Sequence, residues 1–198
     1  MNLQEVQLEE FLSRLGTAEP TVSGSSAALT AARIGVAMVR MAFAVSGKHG
    51  IDNEMAIETL DSISARLVDA LERDRAASLA LIETLRDKFD GTIYRRALTD
   101  ATREPLAAAH LLVEFLEHLD EADPGISKSV ASDFFGGIEL VSGAFAGVTM
   151  AVEANLQHEA AGALADRTGN DRLELYRRHE VAMKALRSNR LARGLRSR

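Results

Sequence analysis

Apolar residues recur at three- and four-residue steps along most of the chain, which is the spacing of one face of an α-helix. The clearest run predicts one long helix over Asp52–Phe89, ended by Gly91. Its apolar positions are Ile57, Leu60, Ile63, Leu67, Leu71, Leu79, Ile82 and Leu85. No segment alternates with period two for long enough to require a strand, so the pattern predicts an all-α fold, a helical bundle with long central helices.

The other segments predict further helices, separated by loops that carry the three prolines. A proline opens a helix more readily than it continues one, so Pro105 is expected to divide two shorter helices. The turn formers Thr168, Gly169 and Asn170 are expected to precede the last helix. The predicted ranges are Leu3–Leu15, Ser26–Ser46, Thr92–Thr102, Glu104–Ala122, Ser132–Gln157, and Asp171 to beyond Leu186.

Two segments, Ser26–Ser46 and Leu140–Asn155, are apolar nearly all round and rich in Gly and Ala. Helices of this kind belong in the centre of a bundle, and small residues let two backbones approach closely. We therefore predict a tightly packed central pair. Arg33 and Arg40, seven residues apart on one face, are either an anion-binding or subunit-interface stripe or a pair at a solvent edge.

The 198 residues suffice for one domain, taken as 1–198, and the absence of Cys excludes thiol chemistry. The net charge is −6, yet residues 187–198 carry five Arg and no acid. This basic tail is either an arm for anions or a solvated, frayed helix end. The acidic balance argues against a nucleic-acid partner, and no uninterrupted apolar run reaches the ~20 residues of a membrane span. Without a signal-peptide pattern, a cytoplasmic location is expected.

The loop Ser23-Gly24-Ser25-Ser26, ahead of the first apolar helix, is the most suggestive local feature. Free N–H groups at a helix start favour a carboxylate or phosphate, and Gly24 can take a positive φ that brings the backbone close to a ligand. The alternative is simple N-capping by Ser25 or Ser26. The five His form no cluster with metal-ligand spacing, so no metal is expected.

Several segments together resemble one known family. Phe11–Leu15, Glu19–Ala28 and Gly47-Lys48 look like the opening of the formiminotetrahydrofolate cyclodeaminase and methenyltetrahydrofolate cyclohydrolase family. Asp74 fits an acidic residue in that family's second long helix. Pro105-Leu106 fits the start of a later helix, and Ser132-Asp133 through Asn155 fits its late segment.

The resemblance implies an enzyme of folate one-carbon metabolism. It would hydrolyse 5,10-methenyltetrahydrofolate to 10-formyltetrahydrofolate, or cyclodeaminate 5-formiminotetrahydrofolate. It implies a homodimer whose substrate is a tetrahydrofolate derivative, with no separate cofactor. Asp74 would transfer the proton. The substrate-binding residues would be Ser23, Gly24, Ser25, Ser26, Lys48, Asp133 and Asn155.

Each of these roles has a structural alternative. Asp74 can be a surface acid, Ser132 or Asp133 can cap a helix, and Lys48 can be a cation at a helix C-terminus. The chain also departs from the family pattern. Val22–Ser25 stands where the family has Pro-Gly-Gly-Gly, and two positions where Asn is frequent hold Ala44 and Ala151. These departures leave open a non-catalytic folate-binding or regulatory protein, or a helical interaction protein.

Overall fold

A computed structural model describes residues 8–17, 22–87, 91–121 and 125–195 of the chain. Within these residues the secondary structure is helical, and the all-α prediction is confirmed. Two short 3₁₀ turns, Lys128–Val130 and Glu159–Ala161, precede the last two long helices. The α-helices are α1 (Leu8–Leu15), α2 (Gly24–Gly47), α3 (Glu54–Asp87), α4 (Gly91–Glu121), α5 (Ala131–Leu156) and α6 (Gly162–Ala192).

The five long helices form one bundle in which sequence neighbours run antiparallel. Helix α2 packs against α3 and α5, α3 against α4, and α4 against α5. Helix α6 returns alongside α4 in the same direction, as the pairs His110–Asp171 and Glu117–Arg178 show. The shared core is closed by aromatic and aliphatic side chains, among them Phe43, Phe115 and Phe134.

The predicted close pair of small-residue helices is α2 and α5. At their crossing, a Cβ added to Gly35 would lie 2.6 Å from the carbonyl oxygen of Gly137. A Cβ added to Gly137 would lie 2.5 Å from the carbonyl oxygen of Gly35. Neither position accepts a side chain unless a backbone moves, so the two helices touch through bare backbone at this point.

The predicted break at Pro105 is wrong, because α4 runs through it. Proline has no N–H and leaves the carbonyl of Ala101, four residues earlier, without its helical partner. The side-chain amide of Asn155 on α5 donates to that carbonyl at 2.9 Å. A tertiary hydrogen bond thus replaces the one that proline removes, and the helix continues.

The predicted turn at residues 168–170 is also absent, since α6 passes through Gly169. Leu164 and Leu175, on either side of it, are both buried. Their burial outweighs the roughly 1 kcal/mol that a mid-helix glycine costs. Gly91, expected to end α3, is instead the first residue of α4.

The basic tail is docked as far as the structure describes it, so the predicted frayed helix end is wrong up to Leu195. Arg187 and Arg190 both bind Glu139 of α5, and Arg193 donates to the carbonyl of Ile126 at 3.0 Å. Arg33 and Arg40, predicted to form one stripe on α2, lie in different surroundings. Arg40 makes a surface pair with Asp61 of α3, whereas the partly buried Arg33 has an enclosed Nε with no hydrogen-bond partner among the described residues.

Helix α2 and the segment Lys128–Leu156 are each long and apolar enough to cross a membrane by length and composition alone. In their most apolar windows, 39% and 56% of the residues are buried within the bundle. Core helices of a bundle pass the same test, so their hydropathy is partly explained by the packing of α2 against α5.

Candidate active site at the start of helix α2

Helix α2 begins at a serine cap. The Ser23 hydroxyl oxygen accepts a hydrogen bond from the backbone N–H of Ser26 at 3.0 Å, with Ser23 in an extended conformation. The prediction that Ser25 or Ser26 caps the helix is therefore wrong. Gly24 is the first helical residue and has no positive φ, and a Cβ added there would meet nothing within 4 Å. Because Ser23 takes the capping role, the other two hydroxyls are free to point inward.

Those hydroxyls meet Asp74, which lies near the middle of α3 with 0% of its surface exposed. Ser26 Oγ donates to one carboxylate oxygen at 2.7 Å, and Ser25 Oγ lies 2.8 and 2.9 Å from the two oxygens. Ser23 Oγ is 3.2 Å from the same carboxylate. Asp74 is thus not a surface acid, and the sequence-predicted loop and acid converge on one point.

The carboxylate is held by neutral donors alone. Burial raises the pKa of Asp74, the three serine hydroxyls act to lower it, and the nearby charge of Glu104 raises it again. Its two arginine neighbours in sequence point elsewhere, with Arg73 on Glu104 and Arg75 on Glu72. Because burial dominates, Asp74 keeps its proton to higher pH than an ordinary aspartic acid, as a proton carrier requires.

The serines also form a path to the surface. Ser23 Oγ lies 3.0 Å from Ser25 Oγ and 2.8 Å from Ser26 Oγ. Ser25 and Ser26 are buried, but Ser23 is only partly so, and Gly24 beside it is exposed. The Ser23 hydroxyl therefore connects an enclosed carboxyl group to the solvent side of the helix start, where N–H groups of the first turn lack helical partners.

Asn155, predicted to bind substrate, lies at this end of the bundle, where its side chain has a structural partner. Its amide donates to the carbonyl that Pro105 leaves free, as described above. That bond is sufficient reason for an asparagine at this position. A contact with substrate would require a second role for Asn155.

Lys48 and Asp133 are not part of this cluster within one chain. Lys48 is the exposed C-terminal cap of α2, and the helix between it and Ser23 is 24 residues, or about 36 Å, long. Asp133 lies in the first turn of α5, which runs antiparallel to α2 and so begins at that far end. Neither Ser132 nor Asp133 caps α5, because the capping position is Val130.

Sequence reasoning missed two features of this neighbourhood. One is Glu104, whose charge acts on Asp74 and whose carboxylate holds Arg73. The other is the role of Ser23 as the helix cap that also contacts Asp74. The only signal for Glu104 was its position before Pro105, which does not reveal a contact 30 residues away in sequence. Among the described residues, no group of three acids or histidines is placed to hold a metal ion.

The fold and the site together define a helical-bundle protein with an enclosed acid at the start of an apolar helix. The sequence profile described as Formiminotransferase-cyclodeaminase matches residues 7–170, so the chain belongs to that family. Its fold is similar to the crystal structure of formiminotetrahydrofolate cyclodeaminase from Thermotoga maritima. The TM-score is 0.84 at 17% sequence identity, covering 93% of this chain and 96% of the other. None of the curated proteins compared with the chain matches it.

Proposed function

We propose that the protein is an enzyme of folate one-carbon metabolism that hydrolyses 5,10-methenyltetrahydrofolate to 10-formyltetrahydrofolate, with cyclodeamination of 5-formiminotetrahydrofolate as the related reaction. The observation that carries the proposal is the contact of Asp74 with Ser23, Ser25 and Ser26. Family membership and the fold support a reaction of this type.

Both reactions need one group that takes and returns a proton. In hydrolysis, water adds to the carbon between N5 and N10, and a base accepts the proton that the water loses. The C–N5 bond then breaks as N5 gains a proton, and the hydroxyl loses its own as the formyl C=O forms. In cyclodeamination, N10 attacks the formimino carbon, and the departing nitrogen must be protonated to leave as ammonia. One carboxyl group with a raised pKa serves either sequence.

Asp74 is enclosed, so we assign the exchange with the ligand to the serine hydroxyls. A proton from the substrate side reaches Ser23, and Ser23 passes its own proton to the carboxylate over 3.2 Å. Return follows the same path. The reacting carbon would lie over the exposed start of α2 beside Gly24, held in place by binding contacts rather than by covalent chemistry.

The experiment compares loss of the methenyl absorbance with wild type, with Asp74→Asn and with buffer alone. Wild type should exceed buffer, and Asp74→Asn should lose most of the excess because an amide cannot carry the proton. Asp61→Asn is the matched control, since Asp61 lies on the same helix in a surface pair with Arg40. Equal rates for wild type and Asp74→Asn would contradict the proposal.

The enclosure of Asp74 also favours a second candidate, a folate-binding protein that does not turn its ligand over. Its carboxylate oxygens already accept bonds from the serines, leaving no exposed surface for a substrate. Calorimetric titration with a reduced folate separates the two. Binding without turnover supports this candidate, and no binding contradicts both.

A further inference from the structure

We propose that the groove between helices α4 and α6 binds a small phosphate monoester of the sugar phosphate kind. We call it the α4–α6 groove and define it by Arg103, Ala107 and His110 of α4 with Leu164, Arg167 and Asp171 of α6. Its cavity volume is about 610 Å³, which lies within the range of small-molecule sites.

Two arginines line the groove from opposite walls without a counter-charge. Arg103 and Arg167 are both exposed, and neither has a hydrogen bond or ion pair to any residue that the structure describes. Glu104, next to Arg103 in sequence, binds Arg73 of α3 instead. Two like charges in one groove repel each other, and an anion bound between them would replace that repulsion with two attractions.

Further along the same two helices, opposite charges close the gap between them. Asp171, four residues after Arg167, lies 3.1 Å from His110, and Arg178 binds Glu117. Helices α4 and α6 therefore carry complementary pairs where their surfaces meet directly. In the groove both helices carry an arginine instead, which is the arrangement expected where the partner is a bound anion.

The charge of the two arginines favours a phosphate monoester over a carboxylate. A guanidinium donates two hydrogen bonds in a fixed fork, so Arg103 and Arg167 together can hold one anion from two sides. A phosphate monoester carries a charge of about −1.5 to −2 near neutral pH and three acceptor oxygens. It therefore balances both arginines, whereas a single carboxylate balances one.

The rest of the lining indicates a ligand body that carries hydroxyl groups. Thr99 and Thr168 donate their hydroxyl protons to carbonyls of their own helices, so both are left as acceptors towards the groove. The carboxylate of Asp171 is a further acceptor, and Ala107 and Leu164 add apolar contacts. Hydroxyl donors on a compact carbon skeleton match this lining, and a sugar phosphate combines them with the phosphate group.

The α4–α6 groove does not depend on the proposed activity. The candidate active site lies where the start of α2 meets α3, whereas the groove lies on the side of α4 that faces α6. Glu104 borders both, since it lines the groove and its charge acts on Asp74. Failure of the Asp74→Asn experiment would therefore leave the groove untouched, and failure of the binding experiment would leave the proposed activity untouched.

The test is calorimetric titration of the full chain at low ionic strength with glycerol 3-phosphate, ribose 5-phosphate and glucose 6-phosphate. Inorganic phosphate and the unphosphorylated sugars are titrated alongside. At least one ester should bind one to one and at least tenfold more tightly than inorganic phosphate, and the sugars should not bind. Arg103→Gln with Arg167→Gln should raise the Kd of that ester at least tenfold, because both cations are lost.

Two further variants separate this site from general charge attraction. Arg86→Gln with Lys184→Gln is the matched control, since it removes two exposed cations outside the groove, and it should leave the Kd within about twofold of wild type. Ala107→Phe fills the groove at an exposed position without changing the charge. Helical circular dichroism should be unchanged, while the Kd rises at least tenfold.

Four results would overturn the proposal. They are the absence of saturable binding of any ester to wild type, binding that survives loss of the two groove arginines, and an equal loss of binding in the control pair. The fourth is displacement of the bound ester by a reduced folate, because the groove would then belong to the substrate site. Inorganic phosphate that binds as tightly as every ester would overturn the assignment of an ester.

Discussion

The two ends of helix α2 bury polar side chains in different ways. At its C-terminal end, Ser46 donates to the carbonyl of Ala42 and accepts from the N–H of Ser127, and Asn53 donates to the carbonyls of Phe43 and Gly125. Every one of these partners is backbone. At its N-terminal end, three serines bond to an ionisable side chain.

This difference distinguishes polar groups that are buried for structural reasons from a carboxyl group that is buried for its chemistry. A buried polar group costs free energy unless it is hydrogen-bonded, and backbone partners satisfy it without adding any reactivity. A buried carboxyl group without a cation is expensive, and only part of that cost is recovered from neutral donors. Such an arrangement at Asp74 calls for a function, whereas the arrangement at Ser46 does not.

The largest effect that we expect is on catalysis. Asp74→Asn should lower the rate of methenyltetrahydrofolate hydrolysis above buffer by about 100-fold or more, the usual contribution of a general acid–base group. Circular dichroism and unfolding in urea should show a folded protein, since the serine hydroxyls can donate to or accept from an amide. An active Asp74→Asn variant would place the chemistry elsewhere.

Asn155→Ala tests whether the difference depends on the kind of hydrogen-bond partner or on the end of the bundle. Asn155 lies at the same end as Asp74, but its side chain bonds to backbone. Its loss leaves the Ala101 carbonyl without the bond that compensates for Pro105. We expect a loss of about 1–3 kcal/mol in the free energy of unfolding, measured in urea. The double variant Asn155→Ala with Pro105→Ala should recover part of it, because alanine restores the helical donor. A fully stable Asn155→Ala would contradict this account.

Ser46→Ala tests the structural end of α2. It leaves the N–H of Ser127 without its 2.9 Å partner, so the free energy of unfolding should fall by about 1–2 kcal/mol. Turnover per folded molecule should stay within about twofold of wild type. A large loss of turnover without a loss of stability would erase the distinction between the two ends.

Much of this architecture could be predicted from the sequence. Periodicity predicted the long α3, and the Gly- and Ala-rich composition predicted the α2–α5 pair that meets at Gly35 and Gly137. The breaks were less predictable. At Pro105 the local rule was correct about the lost hydrogen bond, but the side chain that replaces it comes from 50 residues later in the chain. Local sequence does not contain that partner.

The candidate site was also predictable only in part, because local sequence does not show which distant segments meet. The serine loop and Asp74 were both identified, the loop from its residues and the acid through the family resemblance, and the structure brings them together. The predicted capping residue was wrong because three serines lie close enough to the start of α2 to cap it, and the sequence does not show which one does. Lys48 and Asp133 were grouped with the loop by family pattern alone, and the length of α2 separates them within one chain.

Ser26→Ala removes the hydroxyl that lowers the pKa of Asp74 most among the three serines. Since burial already raises that pKa, losing a donor should raise it further. The limb of the pH–rate profile that reports this group should move to higher pH, with a smaller loss in the maximum rate than Asp74→Asn causes. Ser46→Ala, which lies far from Asp74, should leave the limb in place.

We expect the smallest effect on the pH dependence of stability, where Asp74 and Asp61, both on α3, should act in opposite directions. Burial raises the pKa of Asp74 above its ordinary 3.8, so above that pH the folded chain holds more protons than the unfolded one and ionisation weakens folding. The free energy of unfolding of Asp74→Asn should therefore increase relative to that of wild type as the pH rises from 4 towards 7. Arg40 lowers the pKa of Asp61, so ionisation of Asp61 strengthens folding. The free energy of unfolding of Asp61→Asn should therefore fall relative to that of wild type as the pH rises from below 4. Urea unfolding across a pH series measures both differences, and parallel slopes for the two variants would show that Asp74 is not destabilised by its burial.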